Sequence, residues 1–402
     1  MASSSDKPTT ERSRRRQPQA MATQGGDRQS DDSGRQTQRG RRVKSSTVIY
    51  SAVIGSFLVI FVVTTAIRLI ISSDEPEMLA NAIWLDKSWT YASPDEGELA
   101  DLAEQLRQNQ IGTIYAYVST LNTNNLWAGG AEGRQSFIQS QDDVVAFKDA
   151  LKQAYPEATV YGWIEIWAYA ENGEYRLDDS GFYERVADFS RNMIEEFGFD
   201  GVLLDVKPLF GANSDFFQLI REVRSMIELR TPIAVVVSPD LNPIDAGVAS
   251  IPEIAPETMW TAEDKQQALV SANEVVLQMY QSYRSDPLDY IHWVAYHVES
   301  YLNLLHAESN TRLLISIPHY QAASPAHDLS VETIAAALDG VRVGLSRLDE
   351  ERQNLLTGVA IYTDRALSQE QWDIYHKKWL STPDGQAEDA NPDQTPDSQG
   401  TG

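Results

Sequence analysis

The chain has 402 residues, 42% of them apolar and none of them cysteine, so a large core can be filled while disulfides, thiolate catalysis and cysteine-bound zinc are excluded. The formal charge of −25 is unevenly spread: residues 1–46 hold eleven Lys or Arg against five Asp or Glu, and the remainder holds twenty-two against fifty-three. An acidic body repels phosphate backbones, so no nucleic acid is expected on it, whereas a basic head suits an anionic lipid surface.

Residues 1–46 are rich in Ser, Gln, Arg and Gly with almost no large apolar side chain; they cannot offset the entropy of ordering and are expected to form a disordered cytoplasmic head. A transmembrane helix is expected over 47–72. Within it the stretch VIYSAVIGSFLVIFVVTTAI, 48–67, is uncharged, and at about 1.5 Å per residue it spans a hydrocarbon layer of roughly 30 Å. Arg39, Arg41, Arg42 and Lys44 precede it, and Asp74, Glu75 and Glu77 follow it. The positive-inside rule then keeps the head in the cytoplasm and places the acidic body outside the cell membrane, crossed once. The long head, the extended apolar run and the lack of a nearby A-x-A site favour an uncleaved anchor over a signal peptide. A short linker, 73–80, leads into a globular region over 81–380. The tail, 381–402, is polar and acidic and is expected to be disordered.

Within 81–380, β-rich apolar runs alternate with amphipathic stretches, the pattern of repeated βα units. Eight strands are read at 82–85, 111–118, 159–167, 201–206, 233–238, 275–280, 313–317 and 358–362. Stretches such as GELADLAEQLRQ, DDVVAFKDALKQA and GFYERVADFSRNMIEEF between them repeat apolar residues near the 3.6 period of a helix. Eight such units predict a (β/α)8 TIM barrel. A doubly wound open sheet is disfavoured, because no glycine-rich phosphate turn follows the first strand and no G-x-x-x-x-G-K-[ST] occurs. No cofactor is expected. The six histidines lack metal-ligand spacing, so none is read as a metal ligand.

In such a barrel the chemistry collects at the C-terminal ends of the strands, and residues two apart on a strand share a face. Trp163, Glu165 and Trp167 then point inward together, as do Leu203, Asp205 and Lys207. The same parity pairs Gln278 with Tyr280, Ser238 with Asp240, Tyr362 with Asp364, and Tyr115 with Tyr117. The mouth is expected to be lined by carboxylates, an amide and phenols, with Tyr320 adding an aromatic after the seventh strand.

The end of the fourth strand, Asp200, Gly201, Val202, Leu203, Leu204, Asp205, Val206, Lys207, resembles the D-G-x-D-x-D-x-E signature of the family 18 glycoside hydrolases, the chitinase-type barrels. QMY at 278–280 is similar to the family's sixth-strand M-x-Y-D, LLISIPHY to its seventh-strand G-I-P-x-Y, and GVAIY at 358–362 to its eighth-strand G-V-x-I-W. The resemblance implies that Asp205 orients a substrate acetamido group and that position 207 holds the acid that protonates the glycosidic oxygen. Here that position is Lys207. Leu203 replaces an inner Asp, Gln281 replaces the Asp after Tyr280, and Tyr362 stands where the family has a tryptophan floor.

An ammonium with a reference pKa near 10.4 is a poor donor at neutral pH, and its charge opposes a developing oxocarbenium ion. Four readings of Lys207 stand side by side: an ion pair with Asp205, a hydrogen-bond donor to a glycan, a Schiff-base amine, and a bystander in a hydrolase whose acid has moved to Glu165. Resemblance and strand parity together give a candidate catalytic set of Asp205, Lys207, Glu165 and Tyr280, with Tyr117, Trp163, Trp167, Asp240, Gln278, Tyr320 and Tyr362 expected to bind substrate. The expected partner is a cell-envelope or extracellular glycan, bound with lost or reduced hydrolysis. An active glycosidase using Glu165 is the alternative.

Overall fold

The computed structural model describes residues 81–381 apart from 94, 131, 132, 134, 212, 253, 255–258, 320, 321 and 364–366. The head, the apolar segment 48–67 and residues 382–402 of the tail lie outside the described residues, as do Tyr320 and Asp364. Among the described residues no helix is long and apolar enough to cross a membrane.

Strands β1 (Asn81–Leu85) and β2 (Ile111–Leu121) lead into a small ribbon, β3 (Trp127–Gly129) and β4 (Gln135–Ser136). Then come β5 (Thr159–Trp167), β6 (Gly201–Lys207), β7 (Ile233–Val237), β8 (Glu274–Gln278), β9 (Arg312–His319) and β10 (Gly358–Thr363). All but the ribbon run parallel in the order β1-β10-β9-β8-β7-β6-β5-β2, and β1 pairs with both β10 and β2. The ring is closed, so eight strands form a barrel with no free edge. Every strand expected from sequence is present, five of the eight running longer than expected.

Alternation sorts the side chains as the period of a strand requires. Val202, Leu204 and Val206 pack outward against the helices, while Leu203 joins Trp84, Tyr115, Tyr117, Tyr161 and Trp163 inside the barrel. Burying each such aliphatic side chain contributes about 1.5–3 kcal/mol. The helices are started by capping side chains: Asp95 accepts from Gly97 N and Glu98 N ahead of Glu96–Gln108, and Asp179 accepts from Gly181 N ahead of Ser180–Glu195. Thr261 and Asp264 form a reciprocal box at Ala262–Ser271. That last helix has only three buried residues, Lys265, Ala268 and Leu269, which is why apolar periodicity did not reveal it. Helices Pro287–Leu302 and Ile334–Ser346 approach closely at Gly340, where a Cβ would lie 2.6 Å from Val294 Cβ and 2.9 Å from Ile291 O.

Two local features fix what the barrel can present. Strand β2 carries a bulge: Tyr117 stands opposite Trp163, Ser119 opposite Ile164, and Val118 has no partner on β5. The Val118 carbonyl accepts from the Tyr91 hydroxyl at 2.9 Å. One extra residue reverses the parity beyond it, so Thr120 rather than Ser119 points into the barrel. At the opposite end of the strands, the Asn81 side chain holds the closing seam. Its Oδ1 accepts from Val359 N at 3.0 Å and from Trp379 Nε1 at 2.8 Å, and its Nδ2 donates to Gln110 O at 3.3 Å.

Candidate functional site

The ends of β5 and β6 bring three ionisable side chains into one cluster. Register aligns Glu165 with Asp205 and Trp167 with Lys207 across the two strands. The Lys207 Nζ lies 2.8 Å from Glu165 Oε1 and 2.9 Å from Asp205 Oδ2. Asp205 also accepts from Trp163 Nε1 at 3.1 Å, and Glu165 Oε2 accepts from the Thr120 hydroxyl at 2.8 Å. Asp205 is 2% exposed, but Glu165 and Lys207 keep 24% and 31% of their side-chain surface, so the cluster opens to solvent on one side.

Electrostatics follow from these contacts. Burial works against the charged form of Glu165, but the Lys207 ammonium and the hydrogen bonds from Lys207 and Thr120 outweigh it and hold the carboxyl below the usual glutamate range. Burial likewise opposes the charge on Lys207, and the fields of Asp205 and Glu165 overcome it, raising the ammonium well above the usual lysine value. For Asp205 burial wins over the attraction of Lys207, and the carboxyl sits above its usual range. Burial pushes the Tyr362 hydroxyl up to about 12 and also raises Tyr117, so both remain donors at neutral pH.

Aromatic rings close the floor. Trp84 is fully buried and meets Trp163 edge-on at 4.8 Å, Tyr115 at 4.9 Å and Tyr362 at 5.5 Å between centroids. Tyr280 and Tyr362 stack on each other at 4.5 Å with 20° between planes, a spacing that leaves no room for a sugar ring between them. Gln278 donates through Nε2 to Tyr280 O at 3.2 Å. Its neighbour Gln281 takes a left-handed backbone, φ 59°, and gives its N–H to Glu332 Oε2 at 2.9 Å. Trp167 ends β5 with 42% of its surface exposed, presenting an open ring at the rim beside Lys207.

Of the site residues expected from sequence, Asp205, Lys207, Glu165, Tyr280, Tyr117, Trp163, Gln278 and Tyr362 come together at the mouth, and Trp167 lies on its rim. Asp240 does not join them. β7 ends at Val237, so the chain has left the sheet before residue 240 and strand parity no longer directs it. The Asp240 carboxylate is enclosed instead by Lys265 Nζ at 2.7 Å and Trp260 N at 2.6 Å, while its own N–H donates to His297 Nε2 at 2.9 Å. Burial lowers the His297 imidazole to about 4, which keeps that nitrogen an acceptor. Tyr115 also moves away from the mouth. It lies deeper than Tyr117 on β2 and donates to Glu274 at 2.5 Å, at the closed end of the barrel, where Arg312 meets the same carboxylate at 2.6 Å.

Sequence reasoning missed Thr120, hidden by the bulge, and Trp84, whose place on the inward face of β1 the alternation could have flagged. Among the described residues no group of three or more His, Asp or Glu side chains could hold a metal ion.

The arrangement limits the chemistry. An amine that stays protonated cannot attack a carbonyl carbon, which removes the Schiff-base reading. A carboxyl held ionised cannot protonate a leaving group, so Glu165 is poorly placed to act as the acid. What the cluster does offer is hydrogen bonding: a Lys207 ammonium with two of its three N–H groups engaged, carboxylate lone pairs, and phenolic donors around them.

No family model and no curated protein matches the sequence. Solved structures do. The spore cortex-lytic enzyme SleL of Bacillus cereus is 9% identical, with a TM-score of 0.46 over 74% of each chain. A class V chitinase of Pseudomonas fluorescens Pf-5 is 11% identical, with a TM-score of 0.48 over 74% of this chain and 98% of that one. A family 18 chitinase of Cycas revoluta is 12% identical, with a TM-score of 0.47 over 74% of this chain and 99% of that one. At these identities and TM-scores the likenesses carry no functional argument, and the function is argued from the residues themselves.

Proposed function

We propose that this protein is a glycan-binding barrel, carried outside the cell membrane by the anchor at 48–67, with hydrolysis lost or strongly reduced. The observation that carries the reading is the Lys207 ammonium held between Glu165 and Asp205 at the position corresponding to the family's acid. Every carboxylate beside it is already committed to a cation or a hydrogen bond, Asp205 to Lys207 and Trp163 and Glu165 to Lys207 and Thr120. The Tyr280–Tyr362 stack fills the floor, so a sugar is met at the rim, by Trp167, Glu165 and Lys207.

The test is an activity assay on the full chain, with aryl N-acetylglucosaminides and peptidoglycan as substrates, comparing wild type, Lys207→Glu and Glu165→Gln. Wild type is expected to release no chromophore and no soluble fragments, and activity that appears only in Lys207→Glu supports the binding reading. Turnover by wild type that disappears in Glu165→Gln would reject the binding reading in favour of a hydrolase with a relocated acid.

A further inference from the structure

The cluster that replaces the acid also has a sign. The described carboxylates and amines that act on this cluster include Asp86 and Lys87 at the end of β1, Glu165 on β5, and Asp205 and Lys207 on β6; Lys87 acts on Glu165, and Asp86 on Tyr362, while Glu332, behind Gln281, is paired with His327. Three carboxylates stand against two ammonium groups, one negative charge in excess. The excess is not evenly shared. Lys207 spends two of its three N–H groups on Asp205 and Glu165, and Asp205 is closed off beneath it, so the acidic group that a ligand meets is Glu165, 24% exposed. Each Glu165 oxygen has one donor, Lys207 or Thr120, which leaves lone pairs free for a further donor. The chain after residue 46 adds a background of fifty-three acidic against twenty-two basic side chains.

From this geometry we infer that the mouth selects glycans by charge, taking sugars that carry a free amine in preference to neutral N-acetylated ones and turning away uronic and muramic acids. The inference rests on the glycan-binding reading above. A sugar ammonium donates to the free lone pairs of Glu165 and gains from the net negative field, with its ring against Trp167. A sugar carboxylate can reach only the single remaining N–H of Lys207, an ammonium whose charge is already more than balanced by two carboxylates. Lys207 therefore serves as the counter-ion that lets two carboxylates share the mouth, and the ligand-reading charge is Glu165.

The experiment is calorimetric titration of the full chain in non-ionic detergent with three probes of equal length: a glucosamine hexamer, an N-acetylglucosamine hexamer and hexagalacturonate. Wild type is expected to bind the glucosamine hexamer about tenfold tighter than the neutral one, with no measurable binding of hexagalacturonate. Salt raised to about 0.5 M is expected to shrink the preference by screening. Glu165→Gln is expected to level the amine and neutral probes, and Lys207→Met to widen the gap. Equal binding of the three probes by wild type, or a preference for hexagalacturonate, overturns charge selection and leaves glycan binding standing. A preference that persists in Glu165→Gln overturns the role given to that residue, and failure of wild type to bind any of the three overturns the glycan-binding reading and this inference with it.

Discussion

The barrel holds a cation among carboxylates at both of its ends, and the two clusters are built for opposite purposes. At the closed end Glu274 is fully buried, Arg312 meets it at 2.6 Å, and Tyr115 donates to it at 2.5 Å. One carboxylate faces one guanidinium, charges cancel, and the cluster is sealed by the strands around it. At the mouth two carboxylates share one ammonium, a quarter to a third of Glu165 and Lys207 stays in solvent, and lone pairs are left over. The same chemistry inside one fold makes a plug where it is balanced and closed, and an address for a ligand where it is unbalanced and open.

The comparison can be broken at either end. Arg312→Met strands a buried carboxylate and is expected to cost about 3–5 kcal/mol, read as a lower urea midpoint, with glycan affinity unchanged in the molecules that remain folded. Because burial already raises the Glu274 carboxyl, the deficit should shrink as pH falls and that group takes up a proton. Lys207→Met leaves Glu165 and Asp205 facing each other, and is expected to cost about 2–3 kcal/mol, less than the closed-end variant because part of the cluster is solvated. The sign with pH is set by the shifts. In wild type the lowered Glu165 stabilises above the ordinary glutamate range, an effect lost as pH falls through its folded value. The raised Lys207 stabilises below the ordinary lysine range, an effect lost as pH rises through its folded value. The melting curves of wild type and Lys207→Met should therefore converge toward both extremes of pH and differ most between them.

Smaller effects sharpen the contrast. Glu165→Gln keeps the geometry and the Thr120 contact while balancing the charge, so its stability should change by no more than about 1 kcal/mol; its ligand preference should change most. Trp167→Ala removes an exposed ring and should alter stability by less than about 0.5 kcal/mol, yet weaken glycan binding roughly fivefold, the scale of one lost stacking contact. A Trp167→Ala variant with full affinity would move the sugar away from the rim.

Much of this was legible in the sequence, and the exceptions have physical causes. Period-2 alternation assigns a face, which is why Leu203, Asp205 and Lys207 fall together inside the barrel, and Val202, Leu204 and Val206 outside. Alternation does not assign a height along the axis, so Tyr115 and Tyr117 were placed together although one joins the closed end and the other the mouth. It also fails wherever the chain stops being a strand. Asp240, three residues past the end of β7, is held by Lys265 and Trp260, and the bulge at Val118 exchanges Thr120 for Ser119 without any signal in the local composition. Alternation already places Glu165 on the inward face with Asp205 and Lys207, but that one ammonium meets both carboxylates, at 2.8 and 2.9 Å, needed distances.

The seam at Asn81 has a consequence for how the ring comes into being. Its side chain bonds to Val359, 278 residues further on, so the first strand emerges from the ribosome long before the partner that completes its hydrogen bonding exists. At ordinary synthesis speeds that interval is roughly 15 to 55 seconds. Until then the ring cannot close, because β1 lacks its partner β10, and closure carries the loop entropy of nearly the whole domain.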